Sequence, residues 1–252
     1  MKMLIFLFMN GYINDTKSIM TNNLKQLTLG LNLKDDYTFK NFYPGNNGEI
    51  LVSLQKAAIG EGEKIIYLCA LEGQGLSHLL QASCRFAHEH RLRCVYLPMK
   101  DLISLSPVLL QGMENIALIC MDDIHLAAGL PHWEEAIFHL YNRTIDKGGR
   151  LIFSSRDVAK SLPFKLPDLA SRLAWGMVYQ LQALKDNEKL QVLKQRADFR
   201  GMTLTEEAGK YLLHRCSRQM GALFSTLDIL DKASLSAKRR LTIPFIKEVL
   251  KI

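Results

Sequence analysis

The sequence predicts an α/β fold, a parallel sheet with helices on both faces, followed by a small all-helical domain. Three observations carry this. The apolar run Lys64–Cys69 leads straight into glycines and then a helical pattern; the apolar run Ile116–Met121 ends in two aspartates; and no strand pattern appears after Leu184.

Residues 20–36 are polar apart from one alternating island and read, with 1–19, as a flexible N-terminal tail. From Tyr37 the chain alternates strand and helix patterns: strand 65–69, helix 77–90, strands 94–98 and 116–121, helix 132–146, strands 150–154 and 177–181. Trp133, Ile137, Leu140 and Tyr141 fall at i, i+4, i+7 and i+8, one apolar helix face that should pack on the sheet. Helical patterns then begin near Asp186, Thr205 and Ser217, with Gly201 as a stop, and a short one follows Pro244. The expected division is 1–36 tail, 37–184 α/β domain and 185–252 helical domain.

With 252 residues, 48% of them hydrophobic and 23% charged, the chain can bury a substantial core. Five scattered cysteines, three inside apparent strands, suit small buried hydrophobes in a reducing compartment and give no disulfide or zinc spacing. His88-Glu89-His90 puts two imidazoles on different helix faces, which argues against a metal site there. The net charge of +7 is spread along the chain, and the dense cluster Lys238-Arg239-Arg240 reads as a solvated connection between helices. The apolar residues Met3–Met9 are far short of the roughly 20 needed to span a bilayer. No small-residue cleavage site follows them, Met20 is a plausible start, and the expected location is cytoplasmic, away from membranes.

Ala70-Leu71-Glu72-Gly73-Gln74-Gly75-Leu76-Ser77-His78 has the form of a phosphate-binding loop without its lysine. In such a loop the glycines let backbone N–H groups close round phosphate oxygens, a lysine reaches the β and γ phosphates, and a Ser or Thr hydroxyl meets magnesium. Gly73, Gly75 and Ser77 keep the cradle, while Leu76 stands at the lysine position and Ala70 at that of the first glycine. Asp122 and Asp123, at the end of a buried strand, are the carboxylates such a loop works with. Ser77 and Asp122 are thus the expected magnesium contacts, by way of a nucleotide.

Taken in order, the motifs resemble the AAA+ core of the DnaA family of bacterial replication initiators, and more closely its truncated Hda branch, over about residues 24–252. Tyr37-Thr38-Phe39-Lys40-Asn41-Phe42 is similar to the motif beside the adenine pocket; Gly73–Leu80 resembles Walker A; Ile119–Ile124 resembles Walker B; and Asp168–Gly176 resembles box VII, which carries the arginine finger. The resemblance therefore implies an AAA+ fold with a helical lid, and a nucleotide site using Tyr37, Phe39, Phe42, Gly73, Gln74, Gly75, Leu76, Ser77, His78, Asp122 and Asp123. It also implies that Arg172 acts in trans on a neighbour's site, although an arginine after Asp168-Leu169-Ala170 also suits a local salt bridge. In the helix resembling sensor 2, Gly221 stands where the family has arginine, with Arg218 as a substitute candidate.

Losing both cations suits a protein that holds ADP or another nucleoside diphosphate, with or without magnesium, and is not itself an effective ATPase. Gln26-Leu27-Thr28-Leu29-Gly30-Leu31 resembles the peptide that docks on the bacterial sliding clamp, with Gln26, Leu27, Leu29 and Leu31 as contacts. The implied partners are the DnaA initiator and the DNA-loaded clamp, with self-association open, and the implied role is negative regulation of replication initiation. An independent AAA+ ATPase of helicase-loader or clamp-loader type is the alternative. A sequence-specific DNA-binding initiator is not expected, since no helix-turn-helix pattern follows the lid.

Overall fold

The computed structural model describes residues 37–217, 219–237 and 239–252. In chain order the main elements are α1 (Gly48–Ala58), β1 (Ile65–Cys69), α2 (Leu76–Glu89), β2 (Cys94–Pro98), the short α3 (Met99–Leu102), β3 (Leu118–Asp122), α4 (Pro131–Asp146), β4 (Arg150–Ser155), α5 (Pro167–Trp175) and β5 (Met177–Gln180). Then come α6 (Asp186–Phe199), α7 (Glu206–Arg215), α8 (Met220–Ala237) and α9 (Ile243–Leu250). No described helix is long and apolar enough to cross a membrane.

The five strands form one sheet in the order β2-β3-β4-β1-β5, every pair parallel. Parallel neighbours need helical crossovers that cover the faces, so the inner strands read as continuous apolar runs; β1 and β3 are buried at every position. The edge strand β5 departs from the expected two-sided cover, being mostly exposed. It can lie beside β1 because residue 176 is glycine: a Cβ there would sit 2.5 Å from Ile65 Cγ2. β3 starts at Leu118, two residues later than the apolar run suggests. Ile116 is spent closing a single 3₁₀ turn, its N–H donating to Met113 O at 3.0 Å.

Trp133, Ile137, Leu140 and Tyr141 are all buried on α4, as its periodicity predicts, within a core that includes Val95, Leu97, Ile119, Met121 and Phe153. α1 has the same pattern, burying Ile50, Leu54, Ala57 and Ala58 at i, i+4, i+7 and i+8. Four of the cysteines are buried, Cys216 is partly so, and all five are free thiols.

Two compact units emerge, one of residues 37–70 and 76–180, the other of 71–75 and 181–252. The second has its own core of Leu193, Leu212, Leu223, Leu227, Phe245 and Ile246. Its helices begin on sequence-readable caps: Thr205 Oγ1 accepts from Ala208 N–H at the start of α7, and Thr242 Oγ1 from Phe245 N–H at the start of α9. Arg200 pairs with Asp228 and Asp231 of α8, tying the end of α6 to that helix.

Candidate functional site

The sheet extends into the glycine loop: beyond the register pair Cys69↔Ser155, Ala70 N–H donates to Ser155 O at 3.2 Å. Gly73 and Gly75 then take φ of 80° and 100°, a left-handed backbone that a side chain would strain. Between them Gln74 N–H closes a turn on Leu71 O at 3.4 Å, and Gln74 Oε1 is buried without a hydrogen-bond partner among the described residues. The chain re-enters helix at Leu76, followed by Ser77 and His78 in the first turn of α2. Unpaired N–H groups and the helix dipole make such a terminus attractive to anions. Leu76 adds no charge to it.

Asp122 ends β3 only 1% exposed, so its carboxylate depends on protein partners. It has two: the Tyr96 hydroxyl donates to Oδ2 at 2.5 Å, and the Ser154 hydroxyl donates to Oδ1. Ser154 Oγ in turn accepts the N–H of Asp123 at 2.9 Å, fixing Asp123 in a left-handed conformation at φ 57°. Burial, the Asp122 charge and the hydrogen bond to it push the Tyr96 phenol far up, while the polar side chains of Gln81 and Ser77 oppose that shift. Ser77 and Asp122, from opposite sides of the motif pair, therefore converge on one phenol. Burial, then the neighbouring Asp122, raises Asp123 from its ordinary value, and burial lowers His125.

Ser77 and Asp122 offer one hydroxyl and one carboxylate, which suits magnesium only as a shared ligand completed by phosphates and water. Among the described residues no group of three His, Cys, Asp or Glu side chains could hold a metal by itself.

The aromatic motif gathers on the other side of α2. Tyr37 stacks on His78 at 4.6 Å and 8°, Phe42 meets His78 edge-on at 5.3 Å, and Phe39 meets Phe86 edge-on at 5.6 Å. His78 Nε2 donates to Thr38 O at 2.8 Å, so the first helical turn holds the segment by both ring face and ring edge.

Arg172 lies elsewhere on the α/β unit. α5 delivers the chain to Gly176 against Ile65, the first residue of β1, whereas Ser77 and Asp122 stand at the C-terminal ends of the strands. The helix is set by α4. Glu134 is completely buried and its carboxylate accepts two backbone N–H groups, Gly129 on Oε1 at 2.6 Å and Leu166, the N-cap of α5, on Oε2 at 2.7 Å. Two turns along, the Tyr141 hydroxyl donates to Arg172 O at 3.4 Å. The guanidinium carbon sits 6.0, 5.8 and 5.9 Å from the ring centres of Phe138, Tyr141 and Trp175. Arg172 makes no ion pair among the described residues. It opens on a surface concavity of about 620 Å³ also lined by Lys160, Asp168 and Ser171.

Within the α/β unit the sequence residues are therefore sorted into three places: Leu76, Ser77, Asp122 and Asp123 at the ends of β1 and β3, the aromatic motif with His78 beside α2, and the Arg172 face; Gly73, Gln74 and Gly75 belong to the other unit. Arg218 and the peptide residues Gln26, Leu27, Leu29 and Leu31 lie outside the described residues. Gly221, in α8, has nothing within 4 Å of where a Cβ would be. Tyr96, Ser154 and Glu134 were not singled out from the sequence; of these, only Glu134 carried a signal, a carboxylate interrupting the apolar face of a helix.

Residues 33–180 match the family model of the bacterial DnaA ATPase domain, and residues 186–250 match that of the Hda lid domain. Among solved structures, domain III of the Thermotoga maritima replication initiation protein DnaA is 21% identical, with TM-score 0.76 over 87% of this chain and 98% of that one. AMPPCP-bound DnaA from Aquifex aeolicus is also 21% identical, with TM-score 0.68 over 79% of this chain and 66% of that one. The Thermotoga maritima RuvB Holliday junction branch migration motor shares the fold at 15% identity, with TM-score 0.67 over 85% of this chain and 71% of that one. The DnaA ATPase-domain model spans more than half of the chain, residues 33–180 of 252, and the lid model most of the rest: the chain belongs to the bacterial DnaA ATPase-domain family, with an Hda-type lid.

Proposed function

We propose that this chain is a regulator that restrains replication initiation by docking on ATP-bound DnaA and lending Arg172 to hydrolysis in DnaA's site. The observation that carries the reading is a contrast within one chain. Arg172 is held by α4, surrounded by rings and committed to no described carboxylate, while the phosphate loop of the same chain has Leu76 in place of its cation. A planar guanidinium can bridge two phosphoryl oxygens and stabilise charge that develops only in the transition state, a contribution on the order of 10³-fold or more in rate.

The chain's own loop holds ADP or another nucleoside diphosphate, its backbone N–H groups and the α2 terminus carrying the phosphates and the aromatic segment at Tyr37–Phe42 flanking the base. Magnesium, when it accompanies the nucleotide, meets Ser77 and Asp122. The segment Gln26–Leu31 tethers the regulator to the DNA-loaded sliding clamp, which concentrates it where newly replicated DNA lies.

Reconstitution tests this directly. ATP-loaded DnaA, DNA-loaded clamp and this chain are combined and phosphate release is followed. Hydrolysis of DnaA-bound ATP is expected only with all three present. Sustained turnover by the isolated chain, at rates ordinary for ATPases, would instead establish the independent ATPase of helicase-loader or clamp-loader type.

A further inference from the structure

The concavity beside Arg172 has a second cation, contributed by a different element. Lys160 lines it from the 3₁₀ turn Ala159–Ser161, which follows β4. That turn is held in place. Ala159 is buried at its start, Ser161 N–H closes it on Val158 O at 3.0 Å, and the Ser161 hydroxyl donates to the same oxygen at 2.9 Å.

Lys160 itself is exposed and, like Arg172, makes no ion pair among the described residues. The one carboxylate among the described residues that line the concavity is Asp168, in the first turn of α5, where it already faces the positive end of that helix's dipole. The wall therefore carries an excess of positive charge. Phe138 and Trp175 complete it, and an apolar border strengthens a charge interaction made there because it keeps water from screening one side.

A group that fits this wall is anionic and has use for more than one cation. A terminal phosphate carries more than one negative charge near neutral pH, which a single guanidinium leaves partly unmatched. We propose that Lys160 is a phosphate-binding residue of the Arg172 face: its ammonium takes an oxygen of the γ-phosphate of the ATP that the partner's site presents to Arg172. This rests on the reading of Arg172 as acting in trans. The two cations divide the work. A lysine is a compact point charge on a flexible stem, so it meets the phosphate before reaction as well as during it and strengthens docking, whereas the guanidinium fork matches charge that builds up in the transition state.

The test follows phosphate release from ATP-loaded DnaA, with DNA-loaded clamp, over a range of concentrations of the full chain as wild type, Lys160→Gln and Lys160→Arg. Binding of each to DnaA loaded with AMPPCP and with ADP is measured alongside. Lys160→Gln should raise the half-maximal concentration about tenfold with a plateau rate within about twofold and an unchanged melting temperature, while Lys160→Arg stays near wild type. Its binding should weaken about tenfold toward AMPPCP-loaded DnaA and little toward ADP-loaded DnaA, which lacks the γ-phosphate. An unchanged half-maximal concentration, with normal stimulation by the wild type, overturns the assignment and leaves the role of Arg172 standing. Equal weakening toward both nucleotide states overturns it too, since the lysine then meets the partner's protein rather than its phosphate. So does a lowered plateau or melting temperature that Lys160→Arg does not restore. A wild type that stimulates no hydrolysis removes the trans reading of Arg172 and this one with it.

Discussion

The glycine loop and the Arg172 helix follow opposite rules for charge. The loop keeps its backbone form, with Gly73 and Gly75 left-handed, but has no lysine; α5 keeps its arginine and surrounds it with three aromatic rings. Support differs as well. Asp122 is held by two hydroxyls within the sheet, whereas α5 is held from outside the sheet, by Glu134 at its N-cap and Tyr141 at the Arg172 carbonyl. The proposed role in trans asks for the arginine and its mounting more than for the loop's own cation, and the Arg172 variants below test that division.

Removing the guanidinium should break the comparison most sharply. Arg172→Ala is expected to lose stimulated hydrolysis of DnaA-bound ATP by on the order of 10³-fold, with little change in melting temperature, since the group is partly exposed and makes no ion pair among the described residues. Arg172→Lys should rescue poorly, because an ammonium lacks the fork. An alanine variant that unfolds earlier and loses every activity together would make Arg172 structural instead.

Next in size is the tether. Gln26→Ala with Leu29→Ala should weaken clamp retention by about 100-fold or more, as anchor residues each carry roughly 2 kcal/mol, and leave the melting temperature alone. Undiminished retention in a pull-down on immobilised clamp would assign docking to another surface.

Glu134→Gln probes the mounting. An amide can accept one N–H but turns its own NH₂ toward the other, so the cost should be about 1–3 kcal/mol. At roughly 2–4 °C per kcal/mol for a chain of this size, thermal melting should register it. Stimulated hydrolysis should fall further than stability does, because α5 loses its fixed start. A variant that melts and stimulates like the wild type would show that α5 does not depend on this carboxylate.

The smallest effect belongs to the loop. Leu76→Lys should raise ATP affinity relative to ADP by about tenfold, since the ammonium gains the γ-phosphate as a partner. An unchanged ratio by titration would mean that the loop does not cradle phosphates as its form suggests.

The sequence carried most of the sheet because its strands are continuous apolar runs and its helices keep one apolar face. The α4 stripe from Trp133 to Tyr141 is an instance. α1 obeys the same periodicity and was legible in principle, but Gly48 at its start and the polar stretch Gly45–Glu49 mask it. The loop and the Asp pair were visible because glycines and strand-end carboxylates are local signals. The groups that make those parts work were not. Tyr96 reaches Asp122 across neighbouring strands, Ser154 reaches it from β4, and Glu134 joins segments 32 residues apart. Such partners depend on strand order, which no local pattern encodes.

The chain has two tryptophans, and the fold treats them differently: Trp133 is 4% exposed in the core and Trp175 is 79% exposed beside Arg172. Indole fluorescence shifts to shorter wavelength when water is excluded, so the two should emit as distinct blue and red components. Any partner that covers the Arg172 face must also dry Trp175 while leaving Trp133 where it is. The molecule thus has an optical reporter at its proposed docking face, one residue wide and free of any label, so complex formation can be followed in real time and separated from hydrolysis.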